Sequence, residues 1–175
     1  GTLTYGEPLS KLEFARSVFV DAEDAEITVP GILTWKTPDV VLDAGTHQME
    51  YIFEPYSPYD SFWGINYKEY VGVVSVTVNK AKAKLVNVPV PGDFIYNPML
   101  AINEMLLNEN AKTYGIVEDI NGEQIVGEWK FVDSTVMYRV AEAGTKDYEI
   151  IYEPWPSAYG GKVENETNYD YTDTK

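Results

Sequence analysis

Cysteine is absent from this chain of 175 residues. That excludes disulfide scaffolds, thiolate chemistry and Cys-based zinc sites. Histidine occurs once, as His47. One imidazole cannot build a His-based metal centre, and a place beside a predicted turn, taken by Lys146 in the aligned stretch 143–154, argues against a Ser-His-Asp triad. Positive charge is also scarce. Thirteen Lys and Arg stand against 28 Asp and Glu, for a net charge of -15. A nucleic-acid partner needs a basic footprint that displaces counterions, so that class is excluded. Adhesion by charge to an anionic membrane fails for the same reason. No apolar run approaches the roughly 18 residues of a membrane span, so direct membrane insertion is not expected. The start at Gly1 and the polar tail read as the ends of an excised segment, with any signal peptide and anchor lying outside it.

What is present is a repeat. Ala44-Gly45-Thr46 leads into His47-Gln48-Met49-Glu50-Tyr51-Ile52-Phe53-Glu54-Pro55, and Ala143-Gly144-Thr145 leads into Lys146-Asp147-Tyr148-Glu149-Ile150-Ile151-Tyr152-Glu153-Pro154. The two stretches align without a gap. Upstream stand Trp35-Lys36 in one copy and Trp129-Lys130 in the other, and each copy opens on a Tyr followed by Pro, at Tyr5 to Pro8 and Tyr96 to Pro98. Such order and spacing indicate two tandem copies of one domain. Each is small enough to need good packing for its stability. The apolar fraction of 45% marks the chain as globular.

Period-two alternation dominates. Met49, Tyr51 and Phe53 fall on one face, with Gln48, Glu50 and Glu54 on the other. In the second copy Tyr148, Ile150 and Tyr152 alternate with Asp147, Glu149 and Glu153. Val74, Val76 and Val78 alternate with Ser75 and Thr77. This half-buried pattern suits antiparallel sheets. Turn signals separate the runs at Pro30-Gly31, Ala44-Gly45, Asn121-Gly122 and Ala143-Gly144. Asn121-Gly122 between two β-rich runs predicts a hairpin with a type I′ turn. Short strands at this spacing predict an all-β sandwich. A short helix near 98–108 is the one helical candidate, on its content of helix formers. The boundary falls in Lys80-Ala81-Lys82-Ala83-Lys84, which gives copy one as 1–82 and copy two as 83–175.

The combination Tyr5-Gly6, Val29-Pro30-Gly31, Trp35, Ala44-Gly45-Thr46, Phe53-Glu54-Pro55 and a closing Val-rich strand at 74–81 resembles the tandem immunoglobulin-like repeats of bacterial surface and secreted proteins. Copy two keeps Trp129, Ala143-Gly144-Thr145 and Tyr152-Glu153-Pro154. It diverges at Asn97, in a Trp to Ala-Gly-Thr spacing five residues longer, and in a polar last strand at 168–172. The resemblance implies two tandem immunoglobulin-like antiparallel β-sandwich domains. It implies export to the bacterial cell surface or medium, and a role as a non-catalytic spacer with an adhesive surface. No cofactor is implied, and the chain is expected to be a monomer. The expected partners are a cell-wall or host glycan, or a protein.

Aromatic residues supply the binding candidates. Tyr56, Tyr59, Phe62, Trp63, Tyr67 and Tyr70 lie within turn-like sequence, and Trp155 and Tyr159 form a shorter second set. Rings on loops can stack on sugar faces or anchor a protein, and can equally pack as a plug at a domain end. A carbohydrate- or protein-binding module built on 56–70 is therefore the alternative function. Trp35 and Trp129 recur at one place in each copy and read as core residues. The acidic sets Asp21, Glu23, Asp24, Glu26 and Glu118, Asp119, Asn121, Glu123 carry the hard oxygens calcium prefers. Neither has the spacing of a calcium loop, and both read as solvated turns. Nothing singles out a carboxylate pair for glycoside hydrolysis.

Overall fold

A computed structural model describes residues 1–15, 19–56, 67–90, 95, 97–99, 101–102, 115–140 and 142–174. The chain divides into two compact units, Gly1–Asn79 and Lys80–Lys175. Strands dominate both, and their pairing is mostly antiparallel, so the fold is all-β. Most of the 98–108 segment lies outside the described residues.

Unit one is built on four strands: β1 (Thr2–Thr4), β4 (Gly31–Trp35), β5 (Gly45–Pro55) and β6 (Tyr70–Asn79). They lie in the order β1-β6-β5-β4, with β1 parallel to β6 and the rest antiparallel. Between β1 and β4 in sequence, β2 (Phe19–Val20) and β3 (Thr28–Val29) pair as a short antiparallel ladder. Alternation decides the faces. Leu3, Val76 and Val78 are buried on one face, where Leu9 joins them, and Trp35, Val40, Leu42 and Met49 pack around this cluster. Phe19 stacks on Phe53 with ring centroids 3.8 Å apart. Gln48 and Ser75 face each other on the outer side and share a 2.7 Å hydrogen bond.

Unit two pairs β7 (Ala81–Lys82) in parallel with β12 (Tyr169–Asp170), β8 (Lys84–Asn87) with β9 (Ile116–Glu118), and β10 (Gly127–Phe131) with β11 (Ile150–Pro154). A one-turn helix α1 (Val163–Thr167) precedes β12. The polar last strand is thus reduced to two residues. Its buried polar neighbours are satisfied: the fully buried Thr174 hydroxyl donates to the Tyr171 carbonyl at 2.6 Å and accepts from the Tyr152 amide at 3.2 Å. The core holds Ala81, Ala83, Ile102, Val117, Ile125, Phe131, Tyr152 and Tyr169.

The predicted hairpin forms at Asn121-Gly122, but not through a type I′ turn. Only Gly122 has a positive φ, at 80°. Its amide donates to the Asp119 carbonyl at 3.2 Å, and the Asp119 amide donates to Glu123 at 2.9 Å. This is the three-residue pattern of a type I turn followed by a left-handed glycine. The Asp119 carboxylate drives the choice, because it accepts from the amides of Asn121 and Glu123 at 2.8 and 2.9 Å.

The two copies share a backbone frame, and it sits two residues away from the one the tryptophans suggest. Gly31 lies opposite Pro55, and Gly127 lies opposite Pro154. Neither glycine has room for a side chain. A Cβ would fall 2.4 Å from the Glu54 carbonyl oxygen at position 31, and 2.3 Å from that of Glu153 at position 127. With these glycines matched, Trp129 corresponds to Leu33, and Trp35 to Phe131. Trp35 accordingly pairs with Tyr51, whereas Trp129 pairs with Tyr152, the equivalent of Phe53. A shift of two keeps a side chain on the same face of a strand. The two indoles therefore serve the same side of their units from successive rungs.

Candidate functional site

Of the eight aromatic candidates, Tyr59, Phe62 and Trp63 lie outside the described residues. Tyr56 is exposed at the end of β5, and its amide donates to the Pro30 carbonyl at 3.2 Å. Tyr67 is committed to Asp21: the phenol donates to that carboxylate, which raises the Tyr67 pKa. The Asp21 pKa is lowered, first by the Glu23 amide and then by Tyr67. Tyr70 begins β6, edges against Phe19 and Tyr51, and remains half open to solvent. These three do not assemble into a shared platform among the described residues.

Trp155 and Tyr159 do come together. They line an open groove of about 520 Å³ in unit two with Glu128, Lys130, Glu153, Pro154 and Pro156. Pro154 ends β11, and the Trp155 amide is pinned to the Val126 carbonyl at 2.9 Å. The chain then turns sharply. The Tyr159 and Gly161 amides both donate to the Pro156 carbonyl, at 2.8 and 3.1 Å, and Gly160 takes a φ of 93°. A Cβ on Gly161 would collide with the Trp155 carbonyl oxygen at 1.6 Å. This closed turn brings the two rings to one groove. Trp155 is 41% exposed and Tyr159 76%.

The opposite wall is charged. Glu128 on β10 faces Glu153 on β11 across the ladder. Like charges directly opposite are unfavourable, and Lys130 offsets them. Its Nζ lies 2.5 Å from Glu153 Oε2 and 3.4 Å from Glu128 Oε1. The Glu153 carboxylate, with a smaller part from Glu128, raises the Lys130 pKa. The groove thus presents ammonium donors and carboxylate acceptors beside two rings.

As site residues Glu128 and Lys130 escape a reading of the sequence, where Lys130 enters only as part of the Trp-Lys pair, and Glu153 reads there only as the polar face of an alternating strand. What brings them together is the Gly127–Pro154 pairing, and the glycine facing a Glu-Pro step in both copies is the signal that locates it.

Trp35 and Trp129 behave differently from Trp155. The Trp35 indole donates to the Leu12 carbonyl at 2.8 Å, and that of Trp129 to the Gly115 carbonyl at 3.4 Å. Phe14 lies on Trp35 with centroids 4.4 Å apart, and Tyr152 meets Trp129 edge-on at 5.2 Å. Both are packing residues with their one polar atom engaged.

The acidic sets act on their own turns. Asp21 accepts from the amides of Glu23 and Asp24 at 2.7 and 2.9 Å, and Asp24 from that of Glu26 at 3.0 Å. Among the described residues, no group of three or more His, Asp or Glu side chains is placed to hold a metal ion. No helix among them is long and apolar enough to cross a membrane. Compared with known proteins, the chain matches no family model, no curated protein and no solved structure.

Proposed function

We propose that this chain is a non-catalytic structural module: two tandem immunoglobulin-like β-sandwiches that act as a monomeric spacer in an exported bacterial surface protein. The observation that carries this reading is what the recurring residues do. Gly31 and Gly127 admit close strand approach opposite a Glu-Pro step. Tyr56 and Trp155 fasten that step to Pro30 and Val126 through their amides. Trp35 and Trp129 hold neighbouring carbonyls. These recurring residues are spent on the backbone frame. A duplicated catalyst would be expected to repeat its reactive groups instead.

The resemblance to bacterial surface repeats supplies the location. Antibody against the chain should label intact cells of the source organism, and protease added outside should release it. Labelling that appears only after lysis would contradict the surface assignment.

A further inference from the structure

We propose that the groove lined by Trp155, Tyr159, Lys130, Glu128 and Glu153 binds a neutral glycan. The inference goes beyond the spacer reading, which stands whether or not the groove binds.

The rings point to a ligand because their polar atoms are unspent. Among the described residues, neither the Trp155 indole N–H nor the Tyr159 hydroxyl makes a hydrogen bond, and neither ring contacts another. That sets them apart from Trp35 and Trp129. The closed turn at 155–161 fixes the backbone that carries them without using their side chains, so only the two side chains remain to be ordered on binding. The groove's volume of about 520 Å³ lies in the range of sites for small ligands, roughly 300–1,000 Å³.

The chemistry of the walls selects among ligands. An apolar ring face suits the C–H face of a pyranose. The Lys130 ammonium donates and the Glu128 and Glu153 carboxylates accept, which matches hydroxyl groups that do both. One cation against two carboxylates disfavours an anionic polysaccharide, as does the chain's net charge of -15. Unit one does not duplicate the groove's wall: Ile32 and Thr34 stand where unit two has Glu128 and Lys130. The site is therefore assigned to unit two alone.

Calorimetric titration of the whole chain with neutral hexasaccharides of glucose, xylose, mannose and N-acetylglucosamine tests this. Polygalacturonate and a proline-rich peptide serve as contrasting probes. Saturable binding to at least one neutral glycan is expected, with little dependence on salt because no net charge is paired. Trp155→Ala and Tyr159→Ala should each weaken it about tenfold or more. Trp155→Phe should restore part of it, and Tyr138→Ala, at an exposed ring outside the groove, should leave it unchanged. Circular dichroism of each variant identifies loss of fold, and Tyr159, the more exposed residue, decides if Trp155→Ala unfolds. Three results would overturn the proposal: no glycan binding, binding only to polygalacturonate or the peptide, or glycan binding undiminished in the folded variants.

Discussion

Gly31 and Gly127 are single residues on which both units depend. Each occupies a position where a methyl group would overlap a main-chain oxygen across the ladder, so the strand pair must part to accept any other residue. Gly31→Ala and Gly127→Ala should each destabilise by about 1–3 kcal/mol. For domains of this size that is a fall in Tm of about 4–8 °C per kcal/mol, readable by thermal melting. Unchanged melting would show that the strands are not so closely paired. Tyr152 gives a second test at this scale. It is 5% exposed, and its hydroxyl donates to the Ile125 carbonyl at 2.6 Å. Burial pushes its pKa from 10.0 up to about 12. A raised pKa means the folded state holds the proton more tightly. Its contribution to stability is complete below pH 10 and is lost as pH rises to about 12. Tyr171, raised first by burial and then by Tyr152, adds to the loss in alkali. Denaturant melts at stepped pH should show stability falling across that window, and Tyr152→Phe should make the fall shallower. A flat profile in the parent chain would contradict the burial of both phenols.

At the scale of elements, strands were readable and their partners less so. The alternation of Met49, Tyr51 and Phe53 depends only on local spacing, and β5 carries it in full. The turn at Asn121-Gly122 was readable as a turn, but its type was not. The Asp119 carboxylate binds two amides ahead of it, and that contact outweighs the Asn-Gly preference. The tryptophans show the same limit. Aligning copies from Ala-Gly-Thr forward is secure because residues 44–55 and 143–154 match without a gap, although only Ile150–Pro154 of the second stretch forms strand where Gly45–Pro55 does in the first. Aligning backward crosses a connection of unequal length, and the largest residue then attracts the match. Glycine opposite Glu-Pro fixes the true frame, since backbone crowding there allows nothing else. The charged wall of the groove was hidden for a related reason. Glu128 and Glu153 are 25 positions apart in sequence and meet only through the β10–β11 register.

At the scale of the whole molecule, acidity and duplication carry the functional argument. A net charge of -15 favours solubility and repels anionic surfaces. The surface ion pairs, among them Lys36 with Glu50, Lys82 with Asp170 and Asp173, and Lys162 with Glu123, are exposed and contribute little to stability. The stability of each unit therefore rests on its own small core, Leu3, Leu9, Val76 and Val78 in one and Val117, Ile125, Phe131 and Tyr152 in the other. Two separate cores suit the proposed spacer role, because one unit could yield under tension while the other stays folded. Stretching the chain by its two ends in a single-molecule force experiment tests this most directly. The account predicts two separate unfolding events, releasing about 280 and 350 Å of chain for units of 79 and 96 residues at about 3.6 Å per residue. A single event releasing the whole length at once would contradict it.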